Sequence, residues 1–136
     1  MRIKKPDIKM ALSLLESSKR DFYYTLSLKL SEDSANTIIR NIYESFRMLG
    51  EALLLAKGIH PEDHVLPISE LIKLKINTSR PLNILDNFRR LRHNINYYGY
   101  KATIEEAENI INFSKTSFDL LFKEVKKQIE NGKLRA

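Results

Sequence analysis

The sequence predicts an all-α fold, an antiparallel helical bundle of four long helices plus one short helix, in a single domain over residues 1–136. Three observations carry this. Punctuation is sparse, with four glycines and four prolines in 136 residues. Apolar residues recur at spacings of three and four, the helical period. No segment sustains the alternation of apolar and polar residues that marks a strand.

The first helix is expected from Asp7 towards Leu30, with Ile8, Leu12, Leu15, Phe22 and Leu26 on one stripe and Lys19 as its polar interruption. "SEDSAN" then breaks the pattern with short polar residues suited to N-caps. A second helix follows from Ser34 to Lys57, its stripe built from Ile38, Ile42, Phe46, Leu49, Leu53 and Ala56, with Gly58 as its C-terminal stop. Gly50 lies inside it and points to close helix packing or a kink, because an interior glycine otherwise costs up to about 1 kcal/mol relative to alanine. After the loop "GIHPEDHVLP" a short helix is expected from Pro67 to Ile76. The fourth helix starts near Pro81 and ends by Gly99. The last opens on a capping box in "TIEE", Thr103 with Glu106, and continues to Glu130, with Gly132 as its stop. It carries two apolar tracks: Ile104, Ala107, Ile111, Phe118, Leu121 and Val125 on one, Ile110, Phe113 and Leu120 on the other. Either it lies centrally in the bundle or another chain covers the second track.

Composition narrows the function. With no cysteine there is neither a disulfide framework nor a thiolate metal site. The N-terminal segment has no uninterrupted apolar run before Glu16, so neither a secretory signal nor a membrane span is expected, and the chain reads as cytoplasmic. A formal charge of +6 favours anionic partners such as nucleic acid or nucleotide. There is no glycine-rich phosphate loop and no serine-nucleophile motif. The basic tail residues Lys123, Lys126, Lys127, Lys133 and Arg135 either track a phosphate backbone or are simply solvated.

The most informative stretch is "NFRRLRHNINYYGY", residues 87–100. At about 100° per residue, Ile84, Phe88, Leu91, Ile95 and Tyr98 fall on the core-facing side. Asp86, Arg89, His93, Asn96 and Tyr97 fall on the other, with Arg92 on the flank between. Asp86 is within i,i+3 reach of Arg89, and His93 within i,i+4 reach of Arg89 and Tyr97. Such a stripe is either a solvated outer face or a phosphate site. For the second, arginine offers a planar fork of donors, histidine exchanges a proton near neutral pH, and asparagine and tyrosine can hold a base or a hydroxyl.

The stretch "RRLRHNINYYG", together with "YESFRMLGEALLLAKGIHPEDH" on the second helix, resembles the HEPN family, small helical bundles of prokaryotic toxin–antitoxin and nucleotidyltransferase-associated systems. The resemblance covers most of the chain. It implies a homodimer that brings two motifs together, and in active members a metal-independent cleavage of RNA in which an arginine holds the phosphate and a histidine assists proton transfer. Arg92 matches the motif arginine. The next position, commonly asparagine, is His93, and Tyr97 stands where the histidine is expected. Tyrosine, with an ordinary pKa near 10, is a poor general base at neutral pH, whereas histidine near 6.5 suits the role. His93 lies one helical turn earlier, about 5–6 Å along the axis.

Two functions follow from these residues. One is a non-catalytic module that binds RNA or nucleotide phosphate through Arg89, Arg92, Asn96 and Asp86, and docks a partner such as a small nucleotidyltransferase. The other is a metal-independent endoribonuclease, the toxin of a toxin–antitoxin pair, with His93, Arg92 and Tyr97 at the catalytic site. Tyr97 in place of histidine favours the first. Neither calls for a cofactor. His60, Glu62, Asp63 and His64 share one loop and have side chains that bind zinc or manganese, but Pro61 and the turn scatter them, so no metal site is expected. Phe22, Tyr23, Tyr24 and Tyr43 read as core and interface residues rather than base-stacking platforms.

Overall fold

In a computed structural model of the chain, residues 2–63 and 65–135 are described. The elements in order are strand β1 (Arg2–Ile3), helices α1 (Ile8–Leu26) and α2 (Ala35–Ala56), strand β2 (Ile59–His60), and helices α3 (Val65–Ile72), α4 (Ile84–Tyr98) and α5 (Ile104–Arg135). The fold is the expected all-α bundle of four long helices and one short one. Among the described residues, the regular structure besides the helices is a two-residue antiparallel ladder pairing Arg2 with His60 and Ile3 with Ile59.

Cross-helix contacts fix the directions. The Asp7 N–H donates to the Leu55 carbonyl at 3.0 Å, so α1 starts where α2 ends. Phe46 meets Phe88, and Arg40 meets Asn96, so α4 runs antiparallel to α2. Tyr23 bonds Asp119, and Lys126 lies 4.0 Å from Glu16, so α5 runs antiparallel to α1. The bundle is therefore up-down-up-down, with α3 lying across the second half of α2.

The core is organised around Phe46, whose ring centroid lies 5.5 Å from that of Phe118, 6.2 Å from Phe88 and 6.3 Å from both Phe22 and Phe113. Phe22 stacks on Phe118 at 4.1 Å. One ring thus ties α1, α4 and α5 to α2, the helix most completely enclosed. Most of both apolar tracks of α5 is covered within the chain: Ile110 and Phe113 are buried, the latter edge-on to Phe88, while Ile104 and Leu120 stay exposed. Lys19, the interruption on the α1 stripe, holds its ammonium 4.9 Å above the Phe122 ring with its head in solvent.

Of the expected caps, the α5 capping box and the Gly58 stop are present, whereas Ser34 heads α2 without a side-chain cap bond. Thr103 Oγ1 accepts from the Glu106 N–H at 3.0 Å and a Glu106 carboxylate oxygen accepts from the Thr103 N–H at 2.9 Å, a complete capping box. Gly58 ends α2 with φ of 78°, a conformation that glycine adopts at no steric cost. Gly50 reflects close packing, since a Cβ there would sit 2.0 Å from the Pro67 carbonyl oxygen of α3.

Several boundaries differ from expectation for local reasons. The first helix stops at Leu26, four residues short, where the Ser27 N–H and hydroxyl turn back onto the last carbonyls. The third begins at Val65 because Asp63 Oδ1 accepts from the Val65 and Leu66 N–H groups, and it ends at Ile72 in a turn. Residues 81–83 form a tight turn ahead of α4, with the Ile84 N–H on the Pro81 carbonyl. The last helix passes through Gly132 to Arg135. Tyr98 is 76% exposed and not part of the core face: it is the final residue of α4, and the core beneath that helix ends at Ile95. Tyr24 is likewise exposed. Among the described residues no helix is long and apolar enough to cross a membrane.

Candidate functional site

The C-terminal half of α4 is held on α2 by three layers of contact. Phe88 and Ile95 enter the core beneath it. Above them the Arg92 guanidinium carbon lies 5.8 Å from the centroid of the Tyr43 ring. At the end, Asn36 of α2 clamps the outgoing chain, its amide donating to the Tyr100 carbonyl at 3.2 Å and its Oδ1 accepting from the Ala102 N–H at 2.8 Å. Gly99 closes the helix with φ of 65°, and the Tyr100 N–H reaches back to the Asn94 carbonyl. The polar stripe of α4 therefore stands on a fixed backbone beside the one exposed strip of α2.

Two kinds of arginine occupy this surface. Asp86 holds both Arg89, at 2.9 Å, and Arg90, at 3.1 Å. On α2, Arg47 is gripped by Glu44 and Glu51. Arg92 and Arg40 differ: neither forms an ion pair among the described residues. Arg92 is half-buried on Tyr43, and Arg40 is exposed with Nη1 3.5 Å from the Asn96 side-chain oxygen, a long contact. Burial pushes the Tyr43 hydroxyl up to about 12, against the pull of Arg92, Arg47 and Arg89 and with that of Glu44. The phenol stays neutral at physiological pH and leaves the Arg92 charge uncompensated.

His93, Asn96 and Tyr97 are exposed beside Arg92. The His93 and Tyr97 rings meet as expected, with centroids 4.7 Å apart. Of the residues expected at the site, Arg92, His93, Asn96 and Tyr97 are thus brought together with an open side. Arg89 lies next to them already engaged, and Asp86 serves as the counter-ion that engages it. Arg40, Tyr43 and Asn36 were not expected here. The signal for Arg40 is a polar stripe on the second helix, in which Arg40, Glu44, Arg47 and Glu51 recur at spacings of four, three and four; Asn36 and Tyr43 carry no such signal.

The loop that carries His60, Glu62, Asp63 and His64 joins α2 to α3. Asp63 caps α3, the His60 backbone pairs with β1, and His64 lies outside the described residues. The basic tail is described as helix, but the side chains of Lys133 and Arg135 lie outside the description. Compared with known protein families, with curated proteins and with solved structures, the chain matches none.

Proposed function

We propose that the chain is a HEPN-like module of the cytoplasm that binds RNA or nucleotide phosphate at the junction of α2 and α4. In this reading Arg92 and Arg40 take the phosphate oxygens, Asn96 lies between them as a hydrogen-bonding partner, and Arg89 supplies a second, weaker cation. The observation that carries the reading is the contrast among the arginines. On a surface where Arg47, Arg89 and Arg90 are each matched to a carboxylate, Arg92 and Arg40 are not, and an arginine held without a counter-ion is available to an anion. The module acts as a homodimeric scaffold that docks a protein partner such as a small nucleotidyltransferase.

The second reading is a metal-independent ribonuclease of the toxin–antitoxin kind. It is favoured by one feature, the exposed His93 adjacent to Arg92 and in ring contact with Tyr97. A protonated imidazole there would serve as a proton donor to a leaving oxygen.

The two are separated by binding and cleavage assays on the same RNA. Arg92→Ala and Arg40→Ala each weaken binding of a single-stranded RNA measured by fluorescence anisotropy, and wild-type affinity falls steeply with added salt. Equal affinity in all three proteins would refute the phosphate site. With a chelator present, the module reading expects the RNA to remain intact. Cleavage that His93→Ala abolishes and Tyr97→Phe spares would establish the ribonuclease instead.

A further inference from the structure

Three rings that phosphate binding does not use stand together in solvent at the end of α4. Tyr97 is 66% exposed and Tyr98 76% exposed. His93 lies between them, tilted by 42° to the first at 4.7 Å and edge-on to the second at 5.6 Å. Tyr100, the next tyrosine, is not part of this group, because its hydroxyl is bound to Glu106 at 2.7 Å. The backbone carrying the rings is pinned by the Gly99 turn and by Asn36, so they are presented from a fixed position.

Their surroundings select the occupant. From residue 87 to residue 104 the chain carries no acidic side chain, while Arg89, Arg90, Arg92 and Lys101 are all basic. The exposed neighbours are Asn94 and Asn96, and no exposed aliphatic side chain of α4 joins the rings. Flat rings with polar edges beside Arg92, which forms no ion pair among the described residues, suit a polyanion that carries flat rings of its own.

We propose that Tyr97 and Tyr98, with His93 between them, form a stacking platform for unpaired nucleobases of the strand whose phosphates lie on Arg92 and Arg40. The inference rests on the phosphate reading above and adds a specificity: single-stranded RNA is taken in preference to a duplex, whose bases are stacked inside and cannot reach the rings. Base-on-ring stacking tolerates any base, so the platform selects strandedness rather than sequence.

The test uses three fluorescent probes of about twelve nucleotides, within the span of known single-strand sites: an intact single-stranded RNA, the same strand with abasic positions, and the corresponding duplex. Both tyrosines are exposed, so their removal leaves the fold intact. Tyr97→Ala and Tyr98→Ala are each expected to lower affinity for the intact strand about tenfold, with Tyr98→Trp retaining it. Abasic strand and duplex should bind wild type weakly and be indifferent to the tyrosine changes. If the alanine variants bind the intact strand like wild type while Arg92→Ala weakens it, stacking is overturned and the phosphate site stands. If wild type binds no RNA, both fall. Equal losses on intact and abasic strands would place the tyrosines on the backbone and overturn stacking as well.

Discussion

The Arg92 guanidinium of α4 rests on the ring of Tyr43 on the enclosed helix α2, carbon to ring centroid 5.8 Å. A neutral aromatic face holds the guanidinium in place and leaves its charge free to act outward. The same side chain therefore packs α4 against α2 without spending its charge on a carboxylate, which is what distinguishes it from the carboxylate-bound Arg89 one turn earlier.

That distinction can be measured through Asp86. It holds Arg89 and Arg90 together, and its side chain is only partly exposed. Asp86→Asn removes the negative charge and releases both arginines. RNA affinity should rise about two- to fivefold, the scale of a surface ion pair, while Arg92→Ala lowers affinity and reduces the slope of log affinity against log salt by about one. Unchanged or weaker binding by Asp86→Asn would show that the carboxylate contributes to the site directly.

Phe46 is the mechanical centre of the molecule, fully buried and in ring contact with residues of three other helices. Phe46→Ala is expected to destabilise the fold by about 3–5 kcal/mol, from lost apolar burial and the cavity left behind. Urea denaturation followed by circular dichroism at 222 nm (roughly the helical minimum) reads this directly. A loss below about 1 kcal/mol would mean the core collapses around the gap and that no single ring organises it.

The two helical glycines should respond in opposite directions. At Gly50 an added methyl meets Pro67 backbone at 2.0, 2.6 and 3.0 Å, and the backbone of α3 cannot move aside cheaply. Gly50→Ala should therefore cost about 1–3 kcal/mol as overpacking strain. At Gly132 nothing lies within 4 Å, so Gly132→Ala gains helix propensity, up to about 1 kcal/mol. Chemical denaturation of the two variants checks both signs, and a stabilising Gly50→Ala would contradict the close packing of α2 on α3.

These glycines also show where the sequence is readable. Features set by neighbours along the chain were legible: the Thr103–Glu106 box, the Gly58 stop and the Asp86–Arg89 pair all form within four residues. Features that need a second helix were not. Arg40 and Asn96 are 56 residues apart, and the helical period says which residues share a face but not which helix that face meets. Tyr98 was misread for a related reason, because the period continues past Ile95 whereas the core does not. Gly132 and Gly58 look alike in sequence, yet Gly58 takes φ of 78° and ends α2 whereas α5 runs on through Gly132.

The capping box gives a pH dependence with a definite sign. Burial alone would raise the Glu106 carboxyl, but the Thr103 N–H, the Tyr100 hydroxyl and the Thr103 hydroxyl donate to it and together hold it below its ordinary value. A carboxylate held low in the folded state contributes stability above its unfolded pKa, near 4.3, and that contribution is lost as pH falls through the lower folded value. Glu106→Gln keeps an acceptor for the Thr103 N–H but has no charge to lose. The stability advantage of wild type over Glu106→Gln, taken from urea midpoints, should therefore be present at neutral pH and shrink as the solution is acidified below about 4. Taking the difference between the two proteins cancels every other carboxylate that titrates in the same range. Thr103→Ala, which removes the reciprocal acceptor for the Glu106 N–H, should cost about 1 kcal/mol. An advantage over Glu106→Gln that is the same at acid and neutral pH would show that the α5 cap works through hydrogen-bond geometry alone, with no contribution from the charge.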